Sequence, residues 1–458
     1  MKSGTFASAT VAALLLLGAL ACTERHPTAL LRAPDFALVP SDLAPTGEHV
    51  VVFSGSAPDG FAERVAELGG TIQDIWPEIG VAVTLGLTDS AAAELERMDG
   101  IAGIDRDVEL QWIPAAEQLW SDDAASPSGA VIGGAYLFPE WQWNLRQIEA
   151  DQAWVGPHRG QGTRVAILDT GIDSTHVDLV GKIDLAASRS CHRDAGIRDR
   201  NAHGTFVAGI VTSNRRYIES VAPDAQLIAI KVLGPLGVGS FATIICGVMH
   251  ATSVGADVVN MSLGGVFRKN DPGIGDLLTA WNRATNYATS QGVLIVAAAG
   301  NGAEDLDHDG NLVVLPAQSA NVLSVAATGP IAQMFFDSLA LYSNYGASAV
   351  NVVAPGGQSP LVTGNLHDGI VSVCSSFSSI PGLSCRDQRD RYLAGGRGTS
   401  FAAPHVSGLA AALKSANPAL SPQQLRQCIQ NGADDIGKKG VDNLYSHGRI
   451  NVPATLAC

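Results

Sequence analysis

The sequence predicts an α/β fold: a three-layer domain built on a parallel central sheet, preceded by a small α+β domain of ferredoxin-like type. From residue 141 onward, short apolar segments alternate with helical ones, a pattern typical of a parallel sheet. Several of these segments are apolar at nearly every position, as strands covered by helices on both faces require. Nearer the N-terminus, strand and helix signals follow the order β-α-β-β-α-β, the split ferredoxin-like arrangement. The parallel strands are predicted at Arg164–Asp169, Ala225–Val232, Val258–Met261, Val293–Ala297 and Val322–Ala326.

Residues 1–22 have the pattern of an export signal: Lys2, an apolar run from Val11 to Leu20, and small residues before Cys22. The run is too short for a comfortable membrane span. Its end resembles a bacterial lipobox, in which Cys22 would be lipidated and would tether the protein to a membrane. Ordinary cleavage at the preceding Ala-Leu-Ala is the alternative. We expect a secreted or extracellular protein, with an outer-membrane lipoprotein as the tethered form.

Composition divides the remaining chain into two linkers and two folded units. Residues 23–45 are rich in Pro, Ala and Thr without a clear period, as is typical of a linker. Residues 114–140 are rich in Ala, Ser, Asp and Gly, which predicts an exposed connector that a protease could reach. The folded units are residues 46–113 and 141–458. In the first we expect strands at 49–53, 71–76, 80–85 and 101–112, and helices at 59–68 and 88–98.

Charge and cysteine content narrow the class of protein. The chain is 46% apolar and 16% charged, as globular proteins are, and its formal net charge is −15. Nucleic acid is therefore not expected as the main partner, because phosphate binding needs clustered Lys and Arg. Six cysteines follow Cys22, and an even number in an exported chain favours disulfides. We expect Cys374 to pair with Cys385, and Cys428 with Cys458.

Three residues of the main domain suggest nucleophilic catalysis. Asp169 ends an apolar strand immediately before a turn, and in open parallel sheets that edge is where sites form. His203 begins a helix rich in small residues, and a neutral imidazole can accept a proton at physiological pH. Ser400 stands at the start of an apolar helix, where unpaired backbone amides can hold negative charge.

Asn301 is a fourth candidate, because it follows Gly300 at the end of an apolar strand and its amide can donate to a developing oxyanion. Each candidate also has an ordinary interpretation. Asp169 and Asn301 could be turn formers, His203 a structural histidine and Ser400 a helix cap. Their occurrence together, in the order Asp, His, Asn, Ser, favours the catalytic interpretation.

The order of these residues and their flanking sequences resemble those of the subtilisin-like serine peptidases. The motifs that carry the resemblance are Asp169-Thr170-Gly171, His203-Gly204-Thr205 and Gly398-Thr399-Ser400. The resemblance extends from Trp141 onward and implies an endopeptidase acting on proteins or peptides. Ser400 would attack the scissile carbonyl, His203 would take its proton, and Asp169 would orient the imidazole. Asn301 and the Ser400 amide would hold the oxyanion, and the chemistry would require no cofactor.

The same resemblance implies how substrate binds, as a strand added between two backbone edges. Residues 46–113 resemble the inhibitory propeptide of these peptidases, which would act as an intramolecular inhibitor until cleaved. The residues implied in substrate binding are Ser262, Leu263 and Gly264 on one edge, Gly237 and Gly239 on the other, and Ala299 and Gly300 on the second wall of the S1 pocket.

The chain departs from the family pattern at several positions. Phe206 stands where His is usual and Phe401 where Met is usual, and both changes should affect packing more than chemistry. Asp178 matches a position that binds calcium in many relatives, but the loop that would complete that site, 213–220, is short and holds two arginines. We therefore do not expect the usual calcium site.

A structural calcium ion is a candidate elsewhere, at Asp305, Asp307 and Asp309. These alternating carboxylates precede a glycine and resemble the first half of an EF-hand loop, although the closing Glu is missing. A solvated acidic turn explains the pattern equally well.

Two other functions compete with the peptidase. A catalytically inactive subtilisin-like scaffold that binds peptides is one, but all four reactive positions are filled. A serine esterase or lipase is the other, but no G-x-S-x-G motif occurs. A phosphate loop at residues 234–239 is disfavoured because no Lys-Ser/Thr follows.

Overall fold

The computed structural model describes residues 44–113, 119–121, 141–271, 273–386 and 391–458, all within one compact unit. Its strands are β1 (Ala44–Phe53), β2 (Thr71–Trp76), β3 (Val81–Leu85), β4 (Ile101–Gln111), β5 (Leu119–Ser121), β6 (Arg164–Asp169), β7 (Arg189–Ser190), β8 (Gln226–Lys231), β9 (Val238–Ser240), β10 (Val258–Met261), β11 (Gly265–Arg268), β12 (Leu294–Ala298), β13 (Leu312–Leu315), β14 (Val322–Thr328), β15 (Val352–Pro355), β16 (Ile370–Val373) and β17 (Leu393–Gly396). Its helices are α1 (Phe61–Glu67), α2 (Asp89–Leu95), α3 (Trp143–Gln147), α4 (Ala150–Ala153), α5 (His203–Val211), α6 (Phe241–Ser253), α7 (Gly275–Ser290), α8 (Pro360–Thr363), α9 (Thr399–Ala416), α10 (Pro422–Asn431) and α11 (Val452–Leu456).

Residues 44–113, hereafter the leader unit, form an antiparallel sheet in the order β2-β3-β1-β4 with helices α1 and α2 on one face. Alternation along β1 explains this packing. Val51 and Phe53 pack with α1 and α2, whereas Val50 and Val52 join a core with residues of α6 and α7 of the main domain. The strand begins at Ala44, five residues before the expected start, because its first two residues pair with β4 ahead of a bulge.

The main domain is built on a seven-stranded sheet in the order β15-β14-β12-β10-β6-β8-β7, and every pair in it is parallel. Strand β6 shows how the layers form. Val165 and Ile167 pack with residues of α5 and α9 on one face, while Ala166 and Leu168 pack with residues of α6 and α7 on the other. The predicted three-layer α/β fold with a parallel sheet is therefore confirmed.

The predicted connector 114–140 contains a strand that the sequence did not indicate. Residues 119–121 form β5, which pairs antiparallel with β17 through Trp120 and Gly395. A Cβ on Gly395 would lie 2.1 Å from the Trp120 indole nitrogen, and one on Gly369 would lie 2.3 Å from the same ring. These glycines make room for the indole, and no pattern in the connector itself signals that.

Both predicted disulfides are confirmed, and a third is present. Cys374 pairs with Cys385 and Cys428 with Cys458. Cys191 pairs with Cys246, which joins the segment after β7 to helix α6.

Several predictions lie outside the described residues. They are the export signal at 1–22 with Cys22, nearly all of the linker 23–45, and most of the connector 114–140. Within the part of the chain that the structure describes, no helix is both long enough and apolar enough to cross a membrane.

Candidate active site

Asp169 and His203 are brought together at the carboxyl edge of the parallel sheet. Asp169 is the last residue of β6 and His203 the first of α5. The imidazole Nδ1 lies 2.9 Å from Oδ1 and 3.0 Å from Oδ2 of Asp169, and both side chains are buried. The Thr170 amide also donates to Asp169 Oδ1, at 2.7 Å. The carboxylate is thus fixed by backbone and can orient the ring.

The close approach of α5 to β6 depends on a glycine. A Cβ on Gly204 would lie only 2.1 Å from the Gly171 carbonyl oxygen and 3.1 Å from Asp169. No larger residue fits there without moving the helix that carries His203. The small residues noted after His203 in the sequence therefore have a geometric reason at this position.

Asp199 organises the turn before His203, a role that sequence reasoning missed. Its Oδ1 accepts from the Asn201 and Ala202 amides, both at 2.9 Å, and its Oδ2 accepts from the Thr205 amide and hydroxyl. It thus satisfies amides at the start of α5 that have no partner within the helix. An Asp shortly before a helix is a capping signal, so the position could have been flagged.

Ser400 lies buried in the first turn of α9, so its backbone amide has no acceptor within the helix. The helix also contains Pro404, which lacks the N–H that would bond to the Ser400 carbonyl. The Ser262 hydroxyl donates to that carbonyl instead, at 2.6 Å, and itself accepts from Asn260 at 2.9 Å. The side chain of Ser262 therefore secures the serine turn, in addition to the backbone role implied for it.

Helices α5 and α9 pack against each other near their first residues. The ring centroids of His203 and Phe401 are 5.6 Å apart, and those of Phe206 and Phe401 are 4.4 Å apart. The two phenylalanines that depart from the family pattern thus contact each other. Phe401 follows Ser400 directly, and Phe206 lies about one turn of α5 after His203.

Asn301 is held by the residue before Ser400. The Thr399 amide donates to Asn301 Oδ1 at 2.8 Å and the Thr399 hydroxyl does so at 2.9 Å. Because a backbone N–H can only donate, this contact settles which end of the amide is oxygen and leaves Nδ2 as the donor. Thr399, which the sequence did not single out, fixes the orientation that an oxyanion donor needs.

The segments predicted to bind substrate hold the end of the leader unit. Strand β4 pairs antiparallel with β9, with Leu110 opposite Gly239. The Trp112 amide donates to the Gly237 carbonyl at 3.0 Å, and the Gly264 amide donates to the Trp112 carbonyl at 2.9 Å. An extended chain therefore lies between the two predicted edges.

The other predicted substrate residues face neighbouring elements. Leu263 is buried in the core that contains α6 and α7. The Ala299 amide donates to Val325, and its carbonyl accepts from Asn344. The Gly300 amide donates to the Thr399 hydroxyl at 3.0 Å, in a left-handed conformation with φ of 100°. These bonds fix Ala299 and Gly300, the predicted second wall of the S1 pocket, directly before Asn301.

A comparison with known protein families decides the classification. The family model described as "Subtilase family" matches residues 160–448. The chain belongs to the subtilase family. It is thus a serine-type endopeptidase by family.

Named relatives agree with this. Over 315 residues the subtilase is 36% identical to subtilisin Savinase of Lederbergia lenta, covering 68% of this chain and 97% of the relative. It is 33% identical to a thermophilic serine proteinase of Bacillus sp. strain AK1, covering 68% of this chain and 66% of that one. The crystal structure of the epidermin leader peptide processing serine protease of Staphylococcus aureus aligns with a TM-score of 0.72 and 22% identity, over 89% of this chain and 97% of that one. That likeness confirms the subtilisin-like fold.

The subtilase does not gather the three aspartates proposed to bind calcium around one point. Asp305 bonds with His308 and Asn443, Asp307 accepts from Ser348, and Asp309 accepts from Gln318. Across the described ranges, no group of three or more His, Cys, Asp or Glu is placed to hold a metal ion. Protein donors engage each of these carboxylates, and calcium binding at them stays a prediction.

Asp178 is fully buried and its oxygens are also engaged by protein. Oδ1 accepts from the Ser213 hydroxyl at 3.1 Å and the Arg216 amide at 2.6 Å, and Oδ2 accepts from the Tyr217 amide at 2.9 Å. The short loop 213–220 thus closes on Asp178 through two backbone amides and the Ser213 hydroxyl.

Proposed function

We propose that the protein is an exported endopeptidase that cleaves proteins through an acyl-enzyme on Ser400 and is made as a precursor inhibited by its own leader unit. In this mechanism His203 accepts the Ser400 proton as the hydroxyl attacks the scissile carbonyl. Asp169 stabilises the imidazolium that forms, and the proton then passes to the leaving amine. Asn301 Nδ2 and the Ser400 amide stabilise the oxyanion. Water repeats the sequence on the acyl-enzyme.

The observation that carries the precursor proposal is the antiparallel pairing of residues 109–111 with β9. A peptide bound as an added strand uses main-chain hydrogen bonds for affinity and pockets for its side chains. Trp112 fits this pattern: its indole lies 5.5 Å from the Phe241 ring and 5.8 Å from the Phe267 ring, and its Nε1 donates to the Gly239 carbonyl. A leader seated in this way excludes substrate from the same edges.

Two leader carboxylates on the same face of β4 add to the contact. Asp105 accepts from the Asp276 amide at 2.7 Å, in the first turn of α7, and Asp107 accepts from the Ala242 amide at 3.2 Å, in the first turn of α6. Helix α7 has no side-chain cap of its own, since its N-cap residue is Ile274. The first amides of a helix have no acceptor within it, so the two leader carboxyl groups supply acceptors at the starts of both helices.

Export is supported by the three disulfides, which persist in oxidising compartments. It is also supported by the pattern of residues 1–22, with lipidation of Cys22 as the route to a membrane tether. Mass spectrometry of the exported protein distinguishes the free form from the lipidated one.

The test compares the purified wild-type precursor with Ser400→Ala and with Ser415→Ala. Ser415 is a matched control because it lies on the same helix and its hydroxyl bonds to Gln161 near the helix C-terminus. We expect wild type and Ser415→Ala to lose the leader, to hydrolyse casein and to react with a fluorophosphonate probe. Ser400→Ala should do none of these.

Two results would count against the proposal. Normal maturation of purified Ser400→Ala would remove the assignment of the nucleophile. Loss of the leader from the wild type without casein hydrolysis or probe labelling would favour the inactive peptide-binding scaffold.

A further inference from the structure

A cavity of about 440 Å³ lies beside the turn that follows Asp169. Its charged lining residues are Lys231, Arg198, Arg200 and Asp194, and Phe377 and Ile172 contribute apolar surface. Lys231 also lies near the carboxylates of Asp199 and Asp169, just behind the lining. The positive charge that an occupant would meet is therefore mainly that of Arg198 and Arg200, and it favours an anionic occupant.

Lys231 is the most deeply buried of these charges. It is the last residue of β8, where it pairs in register with Asp169. Its Nζ donates to the Thr170 carbonyl at 2.6 Å and lies 3.9 Å from the Asp194 carboxylate. An ammonium group has three donor hydrogens, so these contacts leave capacity for a further acceptor.

The two arginines are exposed and stand at the mouth of the cavity. The Arg198 guanidinium lies over the ring of Phe377, which also lines the cavity, 4.5 Å from its centroid. In the residues that the structure describes, no hydrogen bond or ion pair of the Arg200 guanidinium is seen. A guanidinium presents a planar fork of donors that matches a carboxylate.

The residues that line the cavity are adjacent in sequence to residues of the candidate catalytic centre. Arg200 lies three residues before His203, and Thr170 follows Asp169 directly. The Asn201 side chain donates to the Pro235 carbonyl at 2.7 Å, which ties the cavity loop to the segment leading into Gly237. The cavity loop is thus joined both to His203 and to a segment predicted to bind substrate.

We propose that this cavity is a subsite for an acidic side chain of the peptide substrate, recognised by Arg198 and Arg200 with Lys231 behind them. The inference rests on the proposed peptidase function and adds a specificity to it. Because the recognised group is a carboxylate on an extended chain, the preference belongs to one position near the scissile bond. It should weaken as ionic strength rises, since exposed arginines are screened by salt.

The test uses fluorogenic peptides that carry Gln at the three positions on either side of the scissile bond, and a set in which one Gln at a time is replaced by Glu. We expect wild-type kcat/KM to favour Glu over Gln by about fivefold at one position, as one partly exposed ion pair allows. Arg198→Gln combined with Arg200→Gln should abolish that preference. Hydrolysis of the all-Gln peptide by this double variant should stay within about twofold of wild type, because neither arginine contacts the reacting groups.

The matched control is Arg146→Gln, which removes an exposed arginine on α3 outside the cavity and should keep the preference. Equal or slower hydrolysis of every Glu peptide by the wild type would overturn the inference. So would a Glu preference that survives in the double variant. Failure of the wild type to cleave even the all-Gln peptide would instead count against the proposed peptidase function.

Discussion

Buried carboxylates occur both at the candidate catalytic centre and where the leader unit meets the main domain, but their partners differ. Asp199, at the centre, accepts from several backbone amides and from the hydroxyls of Thr170 and Thr205, all within the main domain. Asp107, in the leader, accepts from the Ala242 amide across the contact and has Glu48 of the leader beside it. The first carboxylate is surrounded by donors, whereas the second shares its site with another acid.

The difference shows in the pKa of Asp107. Burial raises it to about 7, although hydrogen bonds from Ser240 and Ala242 lower it in part, and Glu48 raises it further. Removing a charge from water is costly unless enough donors replace the water. At the leader contact the donors around Asp107 do not offset its burial, so docking favours the protonated, neutral carboxyl group. Three predictions test this contrast.

The largest effect is expected at the centre, from Asn301→Ala. The variant removes the Nδ2 donor that Thr399 orients, so kcat should fall by roughly 10² to 10³, or about 3–4 kcal/mol, with KM nearly unchanged. Removing the corresponding amide of subtilisin has an effect of this size. Steady-state kinetics on one peptide substrate measures it.

Thr399→Val is the companion variant, because it removes the hydroxyl bond to Asn301 Oδ1 and keeps the amide bond. A smaller loss, of about tenfold or less, is expected in kcat. A rise in KM with kcat unchanged in Asn301→Ala would place the amide in ground-state binding and not at the oxyanion.

The second prediction concerns the stability of the centre in acid. His405 in α9 is fully buried, with Nδ1 2.7 Å from the Phe401 carbonyl and Nε2 2.8 Å from Asn144 Nδ2. Burial lowers the pKa of His405 from 6.5 to about 4, although the bond to Phe401 raises it in part. Between these values the unfolded chain binds a proton that the folded chain does not. The stability that depends on neutral His405 is therefore complete above pH 6.5. It is lost as the pH falls toward 4, by on the order of 3 kcal/mol.

The measurement is denaturant unfolding of Ser400→Ala protein, which cannot digest itself, at pH 7.5 and pH 4.5. His405→Gln should reduce the loss of unfolding free energy between these two values, because glutamine does not titrate. The exposed His158→Gln is the control and should behave like the parent. An identical pH dependence in parent and His405→Gln would show that this histidine does not carry the effect.

The sequence signals for the candidate centre are local. Asp169, His203, Ser400 and Asn301 each stand at the boundary of an apolar element, and the parallel sheet places such boundaries at one edge. Asp199 and Thr399 were not predicted. Asp199 stands shortly before a helix, which is a capping signal, but the contact of Thr399 with Asn301 joins residues 98 positions apart. Their importance arises from contacts made after the turns have formed.

Non-local and shape-dependent features were the ones that could not be predicted. The alternating Asp305, Asp307 and Asp309 suggested a calcium loop, but their direction depends on partners such as Ser348 and Gln318, which are distant in sequence or follow an intervening strand. Strand β5 depends on the space left at Gly369 and Gly395. The order of elements in the leader unit was predictable, whereas the helix N-termini that Asp105 and Asp107 complete were not.

The third prediction tests the leader contact with Asp107→Asn in the Ser400→Ala precursor. Asparagine keeps an oxygen for the Ala242 amide but does not ionise. Because the pKa of Asp107 is raised in the docked state, the parent leader should dock most firmly in acid and loosen as the pH rises from about 4 to about 7. Hydrogen exchange of β4 amides, corrected for the intrinsic pH dependence, should show a loss of protection with rising pH that is at least tenfold greater in the parent than in Asp107→Asn.

The comparison with Asp107→Asn is necessary because protonation of His49 affects leader docking in the opposite direction from protonation of Asp107. Burial and the nearby Arg106 lower the pKa of His49, which lies on the other face of β1, so its protonation should destabilise the leader as the pH falls. That effect is present in both proteins, and their difference isolates Asp107. A loss of protection equally steep in Asp107→Asn would place the pH response elsewhere. If the difference holds, neutral pH is the condition in which the leader is loosest and α9 retains its full stability, since His405 loses stability only in acid.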